Sequence, residues 1–166
     1  MSLIVEDGTG KADAESFISL ADATTRHSNL GNTAWADAAS DSVREAALRR
    51  ATIYMQQAYR ERWLGYKRHK EQALAWPRWS VVVDEFWVDT ESVPADVANA
   101  CADLALRALT SDLNADLSRG VVRKKIGPLE TEYDPHSPQA TRFRAIDMML
   151  APYLKGSSAN AQLVRA

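Results

Sequence analysis

Two stretches carry apolar residues at three- and four-residue steps for long enough to demand helices, and they set what the rest of the chain can fold into. In the first, Ala47, Leu48, Ala51, Tyr54, Met55, Ala58 and Tyr59 fall on one face of a helix over about 41–62. Ser40 or Asp41 supplies an N-cap oxygen, and Gly65 lies just past the end. Arg44, Arg49, Arg50, Arg60 and Arg62 mostly occupy the other faces. The second helix opens at Ser92-Val93-Pro94, with proline tolerated in a first turn and Asp96 suited to the positive helix end. Val97, Ala100, Cys101, Leu104, Ala105, Ala108 and Leu109 continue it to about Leu113. That stripe is rich in alanine, so another helix can approach closely.

The remaining segments are shorter. Leu3-Ile4-Val5 before Glu6-Asp7-Gly8-Thr9-Gly10 reads as an edge strand or extended arm. Residues 19–30 form a short helix capped by Ser16 or Ser19 and stopped at Gly31, with Leu20 and Ala23 inward. Between Gly65 and Pro94 the pattern breaks. Trp63, Trp76, Trp79 and Trp87 crowd a packed loop around Trp76-Pro77, where proline biases its predecessor to an extended conformation. Residues 121–133 read as a β-hairpin turning at Gly127-Pro128, its arms of opposite charge. Asp134 to Pro138 is a linker, and a last helix from about Gln139 brings Phe143, Ile146, Met149, Leu150 and Tyr153 to one side, with Pro152 threatening its end. The expected fold is therefore mainly α: a four-helix bundle-like domain with a β-hairpin insertion and an extended N-terminal arm over residues 1–156, then a flexible tail, 157–166.

A chain of 166 residues and 18.4 kDa suits one domain. Surface scaling gives about 8,200 Å² folded against about 27,000 Å² extended, a burial of roughly two thirds that needs no disulfide or metal. Cys101, the one cysteine, has no partner for an intramolecular bridge. No run approaches the ~18 apolar residues of a membrane span, and the start lacks a leader's pattern, so a cytosolic, soluble protein is expected.

The net charge of −2 hides a block pattern. Residues 1–43 hold seven acids and two bases, 44–80 three and nine, 81–118 eight and one, and 119–166 four and eight. A monomer could simply solvate such blocks. They are also what a self-assembling subunit presents to its neighbours, where complementary fields set register.

Catalytic and metal signatures are missing. His27, His69 and His136 lack metal-ligand spacing. Gly8-Thr9-Gly10-Lys11 falls short of a phosphate loop, and there is no nucleophile elbow. No cofactor and no enzymatic activity are expected. One stretch, residues 59–79, interleaves cations with rings: Arg60, Trp63, Lys67, Arg68, Lys70 and Arg78 among Tyr59, Tyr66, Trp76 and Trp79. Such a pattern can neutralise phosphates and stack bases in a single-strand binder. Alternatively the tryptophans anchor a loop while Arg and Lys stems lie over them. The pI near 5.9 favours the second reading.

The order of features is nevertheless familiar. Leu3 to Gly10 with Ala14 to Ser19, Gly31 to Trp35, Arg50-Ala51-Thr52, Gln72 to Arg78, Val93-Pro94, Leu104 to Leu109 and Lys125 to Pro128 together resemble the head-to-tail connector, or adaptor, family of long-tailed bacteriophages and prophages, including members catalogued as DnaT-like single-stranded-DNA-binding proteins. The resemblance covers about residues 1–154. It implies a structural virion protein, made in the host cytoplasm and resident at the head-tail junction. There a homo-oligomeric ring, a dodecamer, docks below the portal protein, extends the DNA channel without reading sequence and meets a stopper or tail-completion protein. Membranes have no part in it. Matching elements place portal-docking candidates at Arg142, Phe143, Arg144, Tyr153, Leu163 and Val164. Candidates for ring or stopper contacts are Arg123, Lys124, Lys125, Glu130 and Glu132. The DnaT-like label implies the alternative, single-stranded-DNA binding through stretch 59–79.

Overall fold

A computed structural model describes residues 2–115 and 141–156, together with the backbone of 121–125 and 130–133. The arm leads in as an extended segment that returns on itself. Val5 bridges Ser16, and the Glu15 N–H donates to the Ile4 carbonyl at 2.7 Å. Helix α1 (Leu20–Asn29) begins where the Ser19 hydroxyl accepts from the Asp22 N–H, and the chain leaves it through Gly31, whose φ is +69°. A single turn, α2 (Thr33–Ala36), then buries Trp35.

The longest helix, α3 (Asp41–Ala58), starts at Ser40, whose hydroxyl accepts from the Val43 N–H. Its buried face holds Ala47, Leu48, Ala51, Tyr54 and Met55 as the spacing predicts, and adds Thr52; Ala58 is exposed. It ends four residues earlier than expected. The Arg62 carbonyl accepts from the Lys155 N–H and the Leu64 N–H donates to the Tyr153 carbonyl, so backbone groups of 62–64 pair with the C-terminal segment instead of continuing the helix. The Trp63–Leu154 bridge lies in this contact.

Four two-residue strands follow in the irregular region. β1 (Tyr66–Lys67) pairs antiparallel with β2 (Arg78–Trp79), and β3 (Val82–Val83) with β4 (Phe86–Trp87). Gly65 makes the first pairing possible, because at φ +63° it lies directly against the Trp79 carbonyl, where a Cβ would collide. The Trp76–Pro77 peptide is cis.

Helix α4 (Ala95–Ala108) packs along α3 through fully buried Ala100, Cys101, Leu104 and Ala105, with the Thr52 hydroxyl 3.3 Å from the Cys101 sulfur. Small side chains on both helices permit this approach. It stops short of the expected Leu113 because the Thr110 and Ser111 hydroxyls take the Arg107 carbonyl at 3.3 and 3.0 Å. Arg26 on α1 forks onto Asp103 of α4 with two 2.9 Å bonds.

The expected hairpin is present as β5 (Val121–Lys125) and β6 (Glu130–Tyr133), in a register that sets Arg123 opposite Glu132 and Lys125 opposite Glu130. Its Gly127-Pro128 turn, the 134–138 linker and the 157–166 tail lie outside the described residues. Helix α5 (Arg144–Leu150) begins at Arg144 instead of near Gln139, with Phe143 at its cap, and Pro152 is accommodated in a 3-10 turn, Ala151–Tyr153. The architecture is thus mainly α, with five α-helices among the described residues where four were expected, and small antiparallel hairpins beside them. Among the described residues no helix is long and apolar enough to cross a membrane.

Candidate functional site

The tryptophans of the irregular region divide into two sets, and that division defines the site. Trp63, 1% exposed, and Trp76 stand edge to face with ring centroids 5.8 Å apart, and the ladder continues to Tyr59 on one side and Tyr153 on the other. These rings are core. Trp79 and Trp87 are instead on the surface, at 49% and 75% exposure, with Tyr66 at 75% and Phe86 at 77%. The register places Tyr66 directly across from Trp79, Trp87 across from Val82, and Phe86 across from Val83. Tyr66, Trp79, Phe86 and Trp87 are therefore exposed aromatic side chains carried by two hairpins of two-residue strands.

The cations of stretch 59–79 divide in the same way. Arg78 is buried, and its guanidinium donates to the carbonyls of Leu64 at 2.6 Å, Gly65 at 2.7 Å and Ala75 at 3.0 Å, which fastens the loop to itself. Burial lowers its pKa from the usual arginine value. Arg68 donates to the carbonyls of Gly8 and Thr90 and pairs with Glu91 at 2.6 Å, tying the N-terminal loop to the chain ahead of α4. Of the strand-contact candidates of the alternative reading, Trp63 is a core ring, and Arg68 and Arg78 hold loop carbonyls, as the loop-anchor reading has it. Arg60, Lys67 and Lys70 are exposed, with Lys67 donating to the Gln72 carbonyl at 3.1 Å. Arg60, Lys67 and Arg78 come together with Gln56, Ala73 and Ala75 around a recess of about 190 Å³. There the Lys67 ammonium is held below its ordinary pKa, by burial first and then by the charges of Arg60 and Arg78.

The portal-docking candidates separate as well. Arg142 and Arg144 are exposed. Phe143 is partly buried, its ring 5.4 Å from Tyr54 and capped by Arg107, and buried Tyr153 donates its hydroxyl to Asp96 at 3.0 Å. Leu163 and Val164 lie outside the described residues. Arg123, Lys124, Lys125, Glu130 and Glu132 are placed by backbone register alone.

Phe86 and Trp87 belong to the surface although no motif marked Phe86, and the sequence reading put Trp87 in the packed loop; Asp84-Glu85 between the strands, both at positive φ, was the available turn signal. The glycine loop 8–10 resolves differently from a phosphate cradle. Buried Glu6 fills it, accepting from the N–H groups of Gly8, Gly10 and Lys11 at 2.8–2.9 Å. Among the described residues no three His, Cys, Asp or Glu side chains assemble as a metal-ligand set.

Comparison with known proteins finds one family and no individual relative. No curated protein and no solved structure matches the chain. The family model described as "Putative DnaT-like ssDNA binding protein" matches residues 1–166, and the chain belongs to that family.

Proposed function

We propose that the protein is a structural subunit of a tailed phage or prophage, a head-to-tail connector that forms a ring below the portal and surrounds the DNA path. The observation that carries this reading is the exposure of four large aromatic side chains, Tyr66, Trp79, Phe86 and Trp87, on neighbouring segments of the chain. Aromatic side chains of this kind are enriched among the anchors of protein interfaces. The alternating charge blocks support the same reading, because neighbours in a ring meet through different faces and gain register from opposite fields. The resemblance in motif order supplies the kind of assembly, with portal, stopper and passing DNA as partners and the head-tail junction as the place of work. No catalysis and no cofactor belong to this reading.

A second reading, single-stranded-DNA binding, is favoured by the family's description and by the exposed rings of Tyr66 and Trp79, which sit across from each other in the register. Exposed rings on which bases stack are part of sequence-tolerant strand binding.

Sedimentation and negative-stain imaging of the concentrated protein, alone and with its cognate portal, separate the two. Rings, or association with the portal, are expected. A protein that stays monomeric in both settings, yet binds an oligonucleotide with an affinity falling steeply with salt, overturns the connector reading in favour of the second.

A further inference from the structure

The recess between the end of α3 and the 73–78 loop gathers Arg60 and Lys67, cations that also belong to the second reading, with the buried Arg78. Its lining contains three cationic side chains, Arg60, Lys67 and Arg78, and no carboxylate. Arg78 is only 8% exposed, yet its three hydrogen bonds all run to neutral carbonyls, and among the described residues no acid pairs with it. Three of the five guanidinium N–H groups are used and two remain. Lys67 likewise spends one of its three ammonium hydrogens, on Gln72, and Arg60 makes no ion pair among the described residues. A buried charge without a counter-charge is costly, and an arginine cannot escape by losing its proton. A bound anion would supply the missing charge.

Size and rigidity narrow what that anion is. At about 190 Å³ the recess is smaller than the ~300–1,000 Å³ of sites for drug-sized ligands, but it has room for a group the size of several waters. Its wall is held in place by Gln56, whose amide donates to the Ala73 carbonyl at 3.0 Å and accepts from the Ala75 N–H at 2.9 Å. Arg78 is fixed by its own three bonds, so the cationic floor is organised before any ligand arrives. Burial first, and then the charges of Arg60 and Arg78, hold the Lys67 ammonium below its ordinary pKa.

We propose that this recess is an anion site that takes a single phosphate group, with Arg78 as its floor and Arg60 and Lys67 as its rim. The group is either a phosphodiester of a nucleic-acid backbone or free phosphate. The site stands whether or not the chain assembles into a ring.

The test is a titration of the full chain with inorganic phosphate in a low-salt, phosphate-free buffer, followed by thermal unfolding and by amide chemical shifts, against sodium chloride of equal ionic strength. Phosphate should raise Tm beyond the chloride control and move the resonances of residues 56–60 and 73–78. The double variant Arg60→Gln/Lys67→Gln should bind at least tenfold more weakly with its circular dichroism unchanged. Arg60→Gln alone, at an exposed position, should cost at least threefold and keeps the test available if the double variant misfolds. An oligonucleotide that displaces phosphate identifies the source as a nucleic-acid backbone, and phosphate binding untouched by oligonucleotide identifies it as the free anion. No effect beyond chloride, or phosphate affinity unaltered in Arg60→Gln, overturns the proposal.

Discussion

His27 shows how one polar residue can be satisfied inside an apolar core. Its ring is fully buried and tilted against Trp35, with Nε2 3.1 Å from the Ala102 carbonyl and Nδ1 3.1 Å from the Asn32 amide nitrogen. The neutral tautomer with its proton on Nε2 meets both contacts, donating to the carbonyl and accepting from Asn32. Protonating Nδ1 would set two donors against each other. Burial, the largest influence, accordingly lowers the folded-state pKa below 6.5. Where the unfolded chain binds the proton and the folded chain does not, stability rises with pH. His27's contribution is therefore complete above about pH 6.5 and is lost as the pH falls from there toward the folded-state pKa. Urea unfolding between pH 7.5 and 5 should show this decline, and His27→Gln should flatten it. A slope unchanged in that variant would assign the decline to other groups. A lone histidine without metal-ligand spacing gave no hint of this role, because Ala102 lies 75 residues away.

At the scale of elements, legibility followed periodicity. The buried faces of α3 and α4 could be read from spacing because about five helical turns in the first and about four in the second repeat the signal, and at Thr52 packing against Cys101 overrode polarity. Two-residue strands carry no such repeat, so nothing in the order Trp63, Tyr66, Trp76, Trp79 distinguishes core rings from surface rings. The sorting is done by tertiary pairing, with 62–64 fastened to 153–155 and the loop knotted around Arg78. Arg78 illustrates the limit best: an arginine between Pro77 and Trp79 gives no sign in the sequence that it fastens a loop, and only its bonds to the carbonyls of Leu64, Gly65 and Ala75 show that role, with two N–H groups left over. The pairing of β1 with β2 rests on Gly65. A methyl there meets the Trp79 carbonyl and the Val81 side chain and also strains a positive φ. Gly65→Ala should thus cost about 1–3 kcal/mol through overpacking and further lift Trp79 away from Tyr66, read as a lower urea midpoint and altered tryptophan fluorescence. Gly31→Ala, also at positive φ but with open space around it, should cost less, since strain acts there alone.

For the whole molecule the question is why a chain with a well-filled core leaves Tyr66, Trp79, Phe86 and Trp87 outside it. The core closes without them: Trp35, Trp63 and Trp76 fill it, and the α3–α4 seam is sealed by alanines. Phe86 and Trp87 thus contribute little to the fold of the isolated subunit, and their replacement offers a clean separation of folding from assembly. Phe86→Ser/Trp87→Ser should leave the unfolding midpoint within about 0.5 kcal/mol of the parent, as expected of exposed positions. Its effect on association should be large, because truncating a desolvated aromatic anchor typically costs at least about 2 kcal/mol per interface, roughly thirtyfold in affinity. In a closed ring every subunit carries the lesion at every contact, so the losses compound and the ring should give way to monomer across the accessible concentration range. Sedimentation velocity at a series of concentrations reads this directly. A variant that assembles like the parent would remove the aromatic surface from the interface, and one that loses the fold as well would mean that these side chains serve the subunit before they serve the assembly.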